Sequence, residues 1–144
     1  MSAADTFAQE RRRILLAFTL TYAVWCGAFI LDQSGWFQGS ARHAFDGIAV
    51  LFGLMWVGSF AWMGHWTRRV RRQPQVIAAL NDEMTVGNRW RAQRASAATL
   101  LVCLMAGVAL SSFVYVDGRI AMLVLIWVLV VSQLGFYLWF DREE

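Results

Sequence analysis

Apolar positions fall in four long runs, at 14–31, 47–64, 95–116 and 120–140. The first reads ILLAFTLTYAVWCGAFIL and the second GIAVLFGLMWVGSFAWMG, and neither contains a charge. The third contains none either, and the most polar member of the fourth is Gln133. A helix needs about 20 mostly apolar residues to cross the hydrocarbon of a bilayer. A surface helix of a soluble bundle would show a polar stripe along one face, and these runs show none. Charges bracket each run: Arg11–Arg13 and Asp32, Asp46 and Arg68, Arg94 and Asp117, Arg119 and Asp141. The pattern predicts an all-α polytopic membrane protein. Its four transmembrane helices form two antiparallel hairpins in a single membrane domain over residues 1–144.

Composition agrees with that reading. Hydrophobic residues make up 58% and charged residues 16% of the 144 residues, against about a quarter charged in a soluble domain. The first run is longer than the core of a signal peptide, and no small-residue cleavage site follows it. Trp25 stands where a lipoprotein signal ahead of Cys26 would need a small residue. The first span is therefore expected to be retained.

Charge then sets the orientation. With four spans, both ends and the segment 65–94 lie on one side. All 13 basic residues are Arg, and all of them except Arg42 and Arg119 fall on that side. The positive-inside rule places the termini and the 65–94 connector in the cytoplasm, as expected for a bacterial inner-membrane protein. Arg68, Arg69, Arg71, Arg72, Arg89, Arg91 and Arg94 gather in the connector. Beside an anionic leaflet each contributes about 1 kcal/mol, and guanidinium binds phosphate in a bidentate way. Anionic lipid headgroups are the expected partners, and membrane proximity explains the basic patch without nucleic acid.

Within the connector, Pro74 suits the first turn of a helix. Val76, Leu80 and Met84 follow at i, i+4, i+8, with Ile77 beside them. They predict a short amphipathic helix over about residues 75–86, stopped by Gly87-Asn88. Its apolar face is a candidate partner contact, or simply the inner face of a connector. Trp90 then anchors the chain at the interface as the third span begins.

On the other side, Asp117-Gly118-Arg119 makes a tight turn. The loop 32–46 is broken by Gly35 and Gly39, and Ser40 is a candidate cap for entry into the second span. Asp32, His43, Asp46, Asp117 and Arg119 form the one polar cluster there. His43 and Asp46, spaced i, i+3, are candidate metal ligands within an otherwise solvated loop.

Several function classes find no support. A haem bundle commonly needs two axial His at one depth; His43 and His65 are roughly 33 Å apart along a helix. Cys26 and Cys103 are singletons at different depths, so neither a redox pair nor a disulfide is expected. No span carries the ionisable group of a proton-coupled exporter. Ser59, Ser111, Ser112 and Ser132 have no activating base at mid-depth. No catalytic residue and no cofactor is predicted.

The spans instead carry small residues every fourth position: Thr99, Cys103, Gly107 and Ser111 in the third, Thr19, Ala23 and Gly27 in the first, Ala49 and Gly53 in the second. Such spacing lets helices approach closely in lipid. These stripes close the bundle on itself, join copies, or receive a partner's helices. Ser132 and Gln133 are candidates for a hydrogen bond between helices.

The connector sequence LNDE (80–83) followed by RAQRASA (91–97), set between two pairs of spans, resembles the small bacterial four-helix inner-membrane proteins of unknown function. Asn81 departs from their plain Leu-Asp-Glu. The resemblance implies the four-span architecture and no reaction. The expected function is that of a non-enzymatic accessory subunit, scaffold or regulatory partner of a membrane complex; the alternative is an oligomeric small-solute transporter or channel.

Overall fold

The computed structural model describes residues 3–35, 39–72, 74, 83–115 and 117–141. Four helices account for nearly all of them: α1 (Ala3–Gln33), α2 (Ser40–Val70), α3 (Glu83–Ser111) and α4 (Gly118–Phe140). Each is long and apolar enough to cross a membrane. All four are longer than the apolar runs that predicted them, α4 only by Gly118 and Arg119. At 1.5 Å per residue the 31 residues of α1 extend about 46 Å, well beyond a hydrocarbon core of about 30 Å. The excess is the segment before Ile14, rich in Ala, Gln, Glu and Arg, all good helix formers. Hydropathy marks where the lipid ends, whereas the hydrogen-bond ladder stops only where the backbone is broken.

Three boundaries differ from the sequence expectation. Gly87-Asn88 does not stop a helix but lies inside α3, which runs unbroken from Glu83. The glycine has no positive φ there, so nothing in its backbone terminates the ladder. At its other end α3 stops at Ser111 rather than continuing to 116. Ser111 and Ser112 both turn their hydroxyls onto the carbonyl of Val108, at 2.7 and 3.5 Å. Side-chain bonds of this kind compete with the helical ladder, and the chain leaves through a tight turn with Phe113 N–H on Leu110 O at 2.9 Å. Ser40 is not a cap but the first residue of α2; Gly39, at φ 65°, takes the cap position with no side-chain bond. The cap that does form is Asp117, whose carboxylate accepts from Arg119 N at 2.8 Å to start α4.

Helix packing has three seams. α1 packs against both α2 and α4, and α3 packs against α4. No comparable seam joins α2 to α3 among the described residues. Along the α1–α2 seam, contacts fall on one helix as they climb the other. Glu10 meets Arg69 at 3.3 Å, Phe18 meets Phe60, Trp25 meets Trp56, and Asp32 meets Arg42 at 3.0 Å. The α1–α4 seam runs the same way, from Arg11–Asp141 at 3.2 Å to Ala23–Trp127.

Small residues decide how close these seams are. The indole of Trp25 lies over Gly53, where a Cβ would stand 3.0 Å from Nε1. Trp25 in turn stacks on Trp56 at 5.1 Å, and Phe18, Tyr22 and Phe60 complete a cluster of rings. Across α1–α4, Trp127 Nε1 donates to Ala23 O at 2.9 Å, close to where a Cβ on Gly27 would lie. Hydroxyls in the spans are satisfied within their own helices: Thr19 on Leu15 O, Ser59 on Met55 O, Thr99 on Ala95 O and Ser132 on Leu129 O. The bond expected from Ser132 to another helix is thus made inside α4.

Candidate functional site

The most enclosed part of the molecule is its arginine-rich end. Ile14 is only 1% exposed, and Asn88, Ala92 and Ser96, spaced i, i+4, i+8, are the buried stripe of α3. Nearby, Phe7 and Val70 pack together with Ala8 and Trp66. The stripe predicted on α3 is less enclosed: Thr99 and Cys103 are half-buried, while Gly107 and Ser111 are exposed. Of the other predicted packing positions, Ala23, Gly27, Ala49 and Gly53 are all half-buried.

Between the four helices at this end lies a cavity of about 440 Å³. Its polar groups are Arg11 from α1, Thr67 from α2, Arg89 and Gln93 from α3, and Gln133 and Tyr137 from α4. Ile14, Leu15, Met63, Ala92 and Leu134 form the apolar walls, with the ring of Trp66. Helical spacing explains the convergence, because Arg89 with Gln93 and Gln133 with Tyr137 are i, i+4 pairs. Each pair puts two polar groups on one face at the depth where the other pair lies.

Among the described residues no carboxylate lines the cavity. Arg11 is the better anchored arginine: it pairs with Asp141 and lies over the ring of Tyr137 at 5.9 Å. Arg89 interacts with the Tyr137 hydroxyl and has no acidic partner within salt-bridge distance among the described residues. Arg11 Nε and Trp66 Nε1 are buried without an acceptor. A buried donor left unpaired costs about 1–3 kcal/mol, so the wall has donors in excess.

The other arginines predicted to meet lipid phosphate stand apart. Arg68, Arg69, Arg71, Arg72, Arg91 and Arg94 are exposed and absent from the cavity wall. Arg69 is shared between Glu10 and the face of Phe7 at 5.6 Å. Of the predicted partner contacts, Met84 falls in the first turn of α3, and Val76 and Leu80 lie outside the described residues. At the opposite end Asp32 is held by Arg42 rather than by His43, and His43 and Asp46 are exposed. Three metal-ligating side chains converge nowhere among the described residues.

Sequence reasoning missed Arg11, Trp66, Gln93 and Tyr137. The signal available was the paired polar spacing, 89 with 93 and 133 with 137, at the ends of two apolar runs. A second hollow, of about 570 Å³, lies between α3 and α4 toward the other end. It is almost wholly apolar, with Cys103, Leu104, Gly107 and Ser111 facing Ala121 and Val124. No family model matches this chain, and no curated protein or solved structure is significantly similar to it.

Proposed function

We propose that this chain is a bacterial inner-membrane protein of two antiparallel helical hairpins, with both termini and the 65–94 connector in the cytoplasm. It acts as a non-enzymatic accessory subunit, scaffold or regulatory partner of a membrane complex. The observation that carries this reading is the uneven packing of α3. That helix rests on α4 alone among the three seams, and its outer half borders an apolar groove in which a Cβ on Gly107 would meet nothing within 4 Å. In lipid, small residues at such a surface admit another helix at close range. The exposed arginines hold anionic headgroups and fix the orientation, and Val76, Leu80 and Met84 on the connector supply a second apolar contact for the partner.

The alternative, a small-solute transporter or channel, has less support. The α1–α2 seam is filled by the rings of Phe18, Tyr22, Trp25, Trp56 and Phe60, and Trp127 bridges the α1–α4 seam. Neither offers a polar path across the apolar layer. A photo-crosslinking amino acid placed at Leu104, beside the groove, tests the preferred reading in native membranes. It is expected to give one defined adduct that disappears on Gly107→Leu, while the same label at the exposed Trp62 of α2 gives none. Equal, diffuse labelling from both positions would contradict it.

A further inference from the structure

We propose that the cavity at the arginine-rich end is a binding site for one phosphate group, with Arg89 as its cationic ligand and Arg11 and Gln133 supplying further donors. This deepens the lipid-contact part of the reading above, separating one cavity from the diffuse hold of the arginines outside it.

The chemistry of the wall selects the ligand. Arg11 and Arg89 are cationic, Gln93, Gln133 and Tyr137 can each donate, and among the described residues the carboxylate beside them is Asp141, which pairs with Arg11 and is not part of the wall. A cation is excluded by charge, and a neutral apolar ligand would leave the Arg89 guanidinium without an anionic partner among the described residues. A tetrahedral oxyanion brings several acceptor oxygens to several donors at once, and charge-assisted bonds to guanidinium are the strongest of these. The volume of about 440 Å³ lies within the range of small-ligand sites and exceeds what a bare phosphate needs. The walls beside the donors are aliphatic, from Ile14, Leu15 and Met63. A phosphate attached to an apolar body therefore fits better than a free ion, and the cavity sits where the apolar spans give way to charge. A membrane phospholipid headgroup meets these requirements.

The role differs in kind from that of Arg91, two residues along the same helix. Both arginines are exposed, but Arg89 lines the cavity and Arg91 does not, so Arg91 contributes only to the general attraction between the basic end and an anionic leaflet. The two arginines give opposite predictions.

The test uses the full-length protein in non-ionic detergent, with bound lipid read by native mass spectrometry. Phosphatidylglycerol and diacylglycerol with identical chains are offered in parallel, with inorganic phosphate at about 10 mM as a competitor. The protein is expected to retain phosphatidylglycerol and not diacylglycerol. Arg89→Gln should lower retention about tenfold, the value of one charge-assisted contact, and Arg91→Gln less than twofold. Gln133→Leu provides a second variant that keeps the helix apolar, and it should lower retention about threefold even if Arg89→Gln does not fold. Displacement of the lipid by inorganic phosphate would support the phosphate site and identify a soluble anion as its source; no displacement supports the headgroup. Equal retention of the two lipids, or equal losses in the Arg89 and Arg91 variants, would overturn the proposal. Because the crosslink at Leu104 reads a different surface, failure here and failure of the partner reading are distinguishable.

Discussion

Gly53 has the least room for a side chain of any described glycine. Its missing side chain makes room for Trp25, whose Nε1 and Cδ1 would lie 3.0 and 3.1 Å from a Cβ. The obstructing atoms belong to a stacked indole held by Trp56 and Tyr22, so they cannot swing aside without unstacking the cluster. Gly53→Ala is expected to destabilise the folded protein by about 1–3 kcal/mol, the usual cost of overpacking. Gly58→Ala, on the same helix with nothing within 4 Å, should be neutral or mildly stabilising; thermal unfolding in detergent compares the two, and equal effects would refute the packing argument. Gly53 could be noticed from its spacing in the sequence, but not the indole that occupies the space it leaves. Spacing along one helix carries no information about which indole of another helix arrives there. The bond from Trp127 to Ala23 O was invisible for the same reason.

Helix lengths show what hydropathy can and cannot read. The apolar runs located every span, because lipid tolerates no charge in its interior. They misplaced the ends of α3 at both sides, because a helix continues through polar sequence wherever its residues favour it. Gly87-Asn88 looked like a stop signal, yet Asn88 is buried with Ala92 and Ser96 on one face of a continuous helix. Packing of that face outweighs the local preference of a Gly-Asn pair, which is worth about 1 kcal/mol. A sign test follows. Gly87→Ala in a helix interior with open space at the Cβ should stabilise by about 0.5–1 kcal/mol, whereas a helix-terminating glycine at positive φ would be destabilised by the same change. Beyond Ser111, Phe113 and Tyr115 are 86% and 93% exposed, in keeping with aromatic rings placed at a membrane boundary.

At the scale of the whole molecule the chain forms an uneven assembly rather than a closed ring of four helices. α1 and α4 each take part in two seams, α2 and α3 in one each, and a cavity opens where Arg11, Arg89, Gln133 and Tyr137 meet. The sequence showed the charge asymmetry plainly, since Arg42 and Arg119 alone stand at the other end. It could not show that Arg11 and Arg89 line one cavity while Arg91 and Arg94 do not, because that distinction depends on the order in which the helices pack. The account rests on the arginine-rich end facing the cytoplasm with the spans in lipid, and labelling of single cysteines tests this directly. In a background lacking Cys26 and Cys103, Arg72→Cys and Ser112→Cys report the two ends of the molecule. A membrane-impermeant maleimide applied to intact cells is predicted to label position 112 and to reach position 72 only after permeabilisation. Labelling of position 72 in intact cells would contradict the orientation and, with it, the assignment of the cavity to the inner leaflet.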